Sequence, residues 1–247
     1  MERLNKFLAH AGVGSRRQVE TLIQRGRVAI NGKVVRELAT HVDAAIHKVS
    51  VDGQPIRSER KVYWVVNKPR GYLCTNYDPS GRPRAIDLVP QIAQRVYTVG
   101  RLDEASEGLL LLTNDGDLAN RLMHPRFGVE KTYLVQVAGD PAPEDLKQLL
   151  KGVWLSEGHV KAMRIKREKR QKDSTWLRIV LNEGKNREIR RMLAKLEHKV
   201  LRLRRIALGP ITLGTLPGGR ARRLKADEIA SLRQSAQRLM DEKPATS

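Results

Sequence analysis

The sequence predicts an α+β protein with two domains. Near the N-terminus, two helix-like segments are followed by a short hairpin. Farther along, strand-like and helix-like segments mix without the regular alternation of a parallel βαβ sheet, so we expect a mainly antiparallel sheet. The polar segment from Ile56 to Lys61 has the composition of a linker. We therefore assign residues 1–57 to a small N-terminal module, 58–62 to a linker, 63–238 to the larger domain and 239–247 to a tail.

The N-terminal module is predicted to contain two helices and a hairpin. The apolar face of the first helix has the spacing i, i+3, i+4 and i+7, in Leu4, Phe7, Leu8 and Ala11. Ser15 begins the second helix, where Gln18 is placed to complete a reciprocal capping box. Asn31-Gly32 supplies the positive backbone angles of a tight turn between strands at 28–30 and 33–35.

The larger domain is predicted to hold further strands and at least three helices. Strands are expected at 62–66, 96–99, 109–112, 131–137 and 200–206, with two more inside 160–181. Helices are expected at 117–123, at 143–150 and from Arg187 onward. The tip between the two strands of 160–181 is expected to carry Lys166, Arg167, Lys169, Arg170 and Lys172.

The composition indicates a polyanionic partner. Lysine and arginine number 47 against 27 acidic residues, which gives the 247-residue chain a formal net charge of +20. A nucleic acid is the first interpretation of this excess, and a membrane surface is its rival. A DNA-binding protein is a weak alternative, because no recognition helix stands out.

Several classes of protein and site are not expected. No segment approaches the roughly 20 apolar residues that span a bilayer, and the N-terminus lacks an apolar signal core, so we expect a cytoplasmic protein. The lone Cys74 suits a reducing compartment and is expected to be a small buried apolar residue. The six histidines are scattered without ligand spacing, so no metal site is predicted.

A cluster of cations is left over on the N-terminal module. It comprises Arg16, Arg17, Arg25, Arg27, Lys33 and Arg36. Because few acids are interleaved, this surface predicts contact with RNA phosphates; the alternative is a merely solvated face.

One aspartate stands out as a candidate reactive group. Gly100-Arg101-Leu102-Asp103 lies between two apolar runs, which places Asp103 on a loop held by core strands. A carboxylate facing a guanidinium stays ionised and can act as a nucleophile or a base. The alternative is a structural ion pair or a hydrogen bond that closes the loop, and the residues alone leave both open.

The N-terminal module resembles a known family of domains. The segments Arg3–Ala9, Ser15–Gln18 and Gly26–Gly32 are similar to the S-four type RNA-binding module, named for a small-subunit ribosomal protein. The resemblance implies docking on structured RNA, which is recognised mostly by shape and backbone.

From Val62 to about Leu224 the chain resembles the bacterial ribosomal RNA pseudouridine synthases of the RsuA/RluB type. Four motifs in order carry the resemblance: Asn67–Gly71, Gly100–Asp103 with Gly108–Gly116, Lys131–Tyr133, and Gly184–Met192. One departure is Ser106, where threonine is common in the family; the hydroxyl is kept. The implied fold is a pseudouridine synthase catalytic domain with a mainly antiparallel α+β sheet.

The resemblance also implies roles for particular residues. Asp103 would be the essential carboxylate, either adding covalently to the sugar or base or removing a ribose proton to give a glycal. Tyr133 would pack on the uracil ring and help remove the final proton, its alternative being a strand-packing tyrosine. Arg190 would pair with Asp103, its alternative being an exposed helix arginine. Arg101 would help hold the RNA, and no cofactor or metal is required.

The resemblance implies ribosomal RNA, or a ribosome-assembly intermediate, as the partner of a monomeric enzyme. The segment 184–191 more closely resembles the large-subunit subgroup, so 23S rRNA is the expected target. The alternatives are a small-subunit rRNA synthase and a non-catalytic RNA-binding factor in ribosome assembly.

Overall fold

The computed structural model describes residues 1–241, whose contacts divide them into two units. The first unit comprises Met1–Val62 together with 92–96 and 114–116. The second comprises the remaining residues.

The first unit has the two helices and the hairpin that its sequence predicts. Its elements are β1 (Glu2–Arg3), α1 (Leu4–His10), α2 (Arg16–Gln24), β2 (Val28–Ile30), β3 (Lys33–Val35), β4 (His41–Val42), β5 (Val49–Val51) and β6 (Gln54–Pro55). The capping box is confirmed, because the Ser15 hydroxyl accepts from the Gln18 amide at 3.3 Å and the Gln18 side chain accepts from the Ser15 amide at 2.8 Å. The turn at Asn31 and Gly32 has φ values of +49° and +80°, as a tight hairpin requires.

The second unit is built on one large sheet. Its elements are β7 (Tyr63–Lys68), β8 (Tyr97–Val99), β9 (Glu107–Thr113), α3 (Gly116–Met123), β10 (Lys131–Ala138), α4 (Pro143–Lys151), β11 (Val153–Leu155), β12 (Gly158–Val160), β13 (Arg164–Gln171), β14 (Ser174–Leu181), α5 (Glu188–Ala194), β15 (Val200–Leu208), β16 (Ile211–Thr212), β17 (Ala221–Arg223) and α6 (Ala226–Asp241). The strand order is β13-β14-β10-β15-β9-β7-β17, with β16 on β15 and β8 on β9. Every pair is antiparallel except β15 with β9, so the predicted α+β fold with a mainly antiparallel sheet is confirmed.

The position of each strand in the sheet explains why the strands have different residue patterns in the sequence. Strands β7 and β9 each have a strand on both sides and are almost wholly buried, so they appear as continuous apolar runs. Strand β10 alternates buried and half-buried residues along its length, which is the pattern of a strand with two unlike faces.

Three features of this unit differ from the sequence analysis. The cations Lys166 to Arg170 lie within the exposed edge strand β13, and only Lys172 lies in the turn, because an edge strand needs no continuous apolar pattern. The hairpin β11–β12 and the helix α6 were not predicted. Helix α6 includes residues 239–241 of the expected tail, and 242–247 lie outside the described residues.

Candidate active site

Asp103 lies on the loop that joins the paired strands β8 and β9, as the sequence predicts. Gly100 opens the loop at φ +75°, and the Ser106 amide donates to the Asp103 carbonyl at 2.9 Å to close it. The neighbouring Leu102 amide donates to the Cys74 sulfur at 3.3 Å. These contacts fix the backbone on both sides of a half-buried carboxylate.

Asp103 faces a cavity of about 560 Å³ within the second unit. Its charged lining side chains are Arg101, Asp103, Lys131, Lys185, Arg187, Glu188 and Arg205. Its apolar lining includes Leu122, Leu181, Ile189, Leu203 and Leu208. A cavity of this size is in the range that holds a small ligand, and its basic excess suits an anionic one.

Tyr133 forms part of the cavity wall on strand β10 and is 8% exposed. Burial raises the pKa of its hydroxyl, because a phenolate would lose its hydration there. The Arg205 guanidinium lowers that pKa, and the Asp103 carboxylate raises it. Asp103 and Arg205 therefore both lie close enough for their charges to act on the Tyr133 hydroxyl.

Two lysines near Asp103 are buried. Lys68 is fully buried, and its ammonium donates to the carbonyls of Pro69 at 2.9 Å and Glu104 at 3.4 Å. Burial lowers its pKa, while the carboxylates of Glu104, Asp103 and Glu107 act in the opposite direction. Lys131 lines the cavity, and burial lowers its pKa to about 8, helped by the charge of Arg205.

Arg190 is not among the residues that line the cavity. Burial lowers its pKa, Arg187 and Arg70 lower it further, and the charge of Asp103 raises it. Its guanidinium donates to the Val200 carbonyl at 3.4 Å, and its Nε is buried without a hydrogen-bond partner.

Arg190 and Asp103 interact through their charges at a distance and not through the direct ion pair that was expected. Within residues 1–241, no ion pair of 4.0 Å or less joins the two side chains. Their charges nevertheless interact, since Asp103 raises the pKa of Arg190.

The sequence-predicted RNA-binding residues fall into two places. Arg101 is exposed and lies on the cavity lining. The cations on the first unit are all exposed: Arg16, Arg17, Arg25, Arg27 and Lys33. Arg27 alone of these forms a two-pronged ion pair, with Asp52, in which its Nε donates at 2.8 Å. Arg16 and Arg17 begin helix α2 with their side chains directed to solvent.

Two cavity residues differ from what the sequence analysis expects. Cys74 is half-buried on the cavity lining and accepts a hydrogen bond, so the expectation of a fully buried apolar residue was wrong. Arg205 was missed. The adjacent pair Arg204-Arg205 could have identified it in the sequence. Consecutive side chains of a strand point to opposite faces, so one of these two arginines must point toward the protein interior.

No helix within residues 1–241 combines the length and the apolar character needed to cross a membrane. The same residues contain no group of three or more histidine, cysteine, aspartate or glutamate side chains that could hold a metal ion.

Comparison with known proteins gives consistent matches. Residues 62–195 match the family model described as RNA pseudouridylate synthase, and residues 2–45 match the S4 domain. An uncharacterised RNA pseudouridine synthase of Aquifex aeolicus is 45% identical over 231 residues, which are 93% of each chain. The ribosomal large subunit pseudouridine synthase B of Bacillus subtilis is 42% identical over 96% of this chain and 97% of its own. A crystal structure of a pseudouridylate synthase superposes with a TM-score of 0.66 at 28% identity, covering 94% of this chain and all of that one.

Proposed function

The chain belongs to the RNA pseudouridylate synthase family, and from that membership we propose that it converts a specific uridine of large-subunit ribosomal RNA to pseudouridine. The choice of RNA is supported by the Bacillus subtilis relative, whose name specifies the ribosomal large subunit and which matches nearly the whole chain. The observation that carries the proposal is the half-buried Asp103 at a basic cavity that Tyr133 also lines.

The reaction is an isomerisation, so the RNA contains the same atoms before and after it. The bond from ribose carbon 1′ to uracil nitrogen 1 breaks, the base turns, and a bond forms from carbon 1′ to uracil carbon 5. The proton on carbon 5 then leaves, and nitrogen 1 gains one. The protein must supply a carboxylate for the first stage and a group that takes a proton in the last.

Asp103 is the proposed carboxylate. The contacts that hold the backbone of its loop fix its position before substrate arrives, which is the arrangement that favours reaction at one atom. We assign to Arg190 the role of orienting the ionised form, through the attraction between its charge and that of Asp103.

Tyr133 is the proposed partner of the base. Its ring lies on the cavity wall among Leu203 and Leu208, where a uracil ring would stack against it. We assign to its phenolic oxygen, in the deprotonated form, the removal of the proton from carbon 5, which leaves Tyr133 as the neutral phenol.

The uridine must leave its stack to reach this cavity, at a cost on the order of a few kcal/mol. Phosphate contacts with cations offset that cost without selecting a base. Arg101 and Arg187 lie on the cavity lining with exposed side chains, where they suit the backbone beside the extruded nucleotide. Selection of one uridine is assigned to the N-terminal module, residues 1–57, acting together with the cavity on one folded RNA.

The test is to map pseudouridines in rRNA from cells that lack this protein and then to treat that RNA with the purified protein. We expect one position, or a few adjacent ones, of large-subunit rRNA to lose modification and to regain it in vitro. Restoration in small-subunit rRNA would overturn the choice of RNA. A protein that binds the RNA yet changes no uridine would overturn the enzymatic proposal and favour an assembly factor.

A further inference from the structure

Strand β15 contains an irregularity beside the cavity. Thr132 of strand β10 pairs with Ala207, but the next residue, Tyr133, pairs with Arg205, so Ile206 is left as an extra residue. Such a bulge changes which side chains share a face of the sheet. It places Arg205 directly opposite Tyr133 while Leu208, three residues on, still lines the same cavity.

The position of Arg205 is fixed from two sides. Its Nε donates to the Leu109 carbonyl at 2.7 Å, and the side chain is 2% exposed. Its backbone lies against Gly108, where a Cβ atom would come within 2.3 Å of the Arg205 carbonyl oxygen. Only a residue without a side chain permits this close parallel pairing of β15 with β9.

The guanidinium nevertheless retains unused hydrogen-bonding capacity. Its Nη2 is buried and has no hydrogen-bond partner. A donor left in this state destabilises the folded protein, so a protein is expected to keep one only where it serves another purpose. An apolar residue of similar size would fill the position without that cost.

The ionisable groups near Arg205 indicate what its unpaired donor serves. The charge of Arg205 lowers the pKa of both Tyr133 and Lys131, so both lie within its field. The charges of Glu188 and Asp103 raise the pKa of Tyr133. Burial itself disfavours a phenolate, and Arg205 opposes this effect at Tyr133.

We propose that Arg205 is a positioning residue that holds the Tyr133 hydroxyl at the cavity wall and favours its proton-accepting form. It acts through Tyr133 and need not touch the RNA. The catalytic part of this inference rests on the proposed function, in which Tyr133 removes the proton from carbon 5 of the uracil. The interaction between the two side chains is independent of the reaction and can be measured without it.

The first measurement therefore uses the free protein. Tyrosine labelled with ¹³C at the ζ carbon reports the state of each phenol by NMR, and Tyr133→Phe assigns the signal of Tyr133. We expect this signal to move in Arg205→Gln and to return part of the way in Arg205→Lys, which keeps the charge. Arg204→Gln is the matched control, because its half-buried side chain belongs to the neighbouring position outside the cavity lining. A Tyr133 signal unchanged in Arg205→Gln overturns the proposal.

The second measurement uses the reaction. We expect Arg205→Gln to lower the single-turnover rate on the cognate RNA by about tenfold or more, with RNA affinity within about twofold of wild type. In the Tyr133→Phe background the same change should have little further effect, because the two residues act as one unit. Equal losses with and without the Tyr133 hydroxyl would show a structural role only. An inactive wild-type protein would instead refute the proposed function, while the NMR result would still decide the contact.

Discussion

Gly108 and Arg205 pair where strands β9 and β15 run parallel in the large sheet, with their backbones in direct contact. Gly108 has a φ of +108°, and a side chain there would meet the Arg205 carbonyl and amide. The glycine therefore decides how close β15 approaches β9, and so where the cavity residue Arg205 stands.

The change Gly108→Ala should lower the free energy of unfolding for two reasons, backbone strain and collision. Gly158→Ala separates them, because Gly158 has nearly the same φ, +109°, with no atom within 4 Å of the added Cβ. We expect a loss of about 1 kcal/mol in Gly158→Ala and at least about 2 kcal/mol in Gly108→Ala, measured by urea denaturation. Equal losses would show that β15 moves aside at little cost.

Replacing Asp103 with asparagine should abolish pseudouridine formation and leave RNA binding within about twofold of wild type. The amide keeps the size of the side chain and removes the charge on which nucleophilic or basic chemistry depends. The matched control is Glu104→Gln on the adjacent residue, whose carboxylate is exposed and forms a 3.8 Å ion pair with Arg82. Pseudouridine release from the Asp103→Asn protein at a wild-type rate would remove Asp103 from the chemistry.

The cations of the first unit should contribute unequally to RNA affinity. Arg16→Gln with Arg17→Gln should reduce the slope of log affinity against log salt by about 2, one for each lost phosphate contact. Arg27→Gln should reduce it by less, because Asp52 already neutralises the Arg27 guanidinium. Filter binding at several salt concentrations checks this. An unchanged slope in the double variant would exclude this helix end from the RNA interface.

Because Lys131 is buried, the free energy of unfolding should depend on pH in the alkaline range. Burial lowers its pKa to about 8 from an unfolded value of 10.5, so between these values the unfolded chain binds more protons than the folded one. The free energy of unfolding should therefore gain a contribution as pH rises from about 8 to about 10.5, on the order of 2 kcal/mol.

The change Lys131→Met removes this contribution. Urea denaturation of the wild type and the variant at several pH values should show their stability difference shifting in favour of the wild type as pH rises. Lys199→Met, at an exposed position, is the control. A stability difference that stays constant across this range would show that the Lys131 ammonium remains hydrated.

Local patterns were enough to predict the first unit. The capping box at Ser15 and Gln18 and the turn at Asn31-Gly32 depend on residues a few positions apart, so the sequence contains their whole cause. The same holds for the loop that carries Asp103, which lies between two runs of apolar residues. By contrast, helix α6 was missed, although its first turn holds Asp227 and Glu228 and the Glu228 carboxylate accepts from the Lys225 amide at 2.9 Å.

The sequence by itself determined the α+β class, the loop position of Asp103 and, through four ordered motifs, the family. Only the tertiary structure decided which distant residues share the cavity: that Arg205 faces Tyr133, that Cys74 supports the Asp103 loop, and that Arg190 lies outside the lining. The reason is physical. Periodicity fixes which face of a strand or helix is buried, whereas strand order and one extra residue in β15 fix what that face meets.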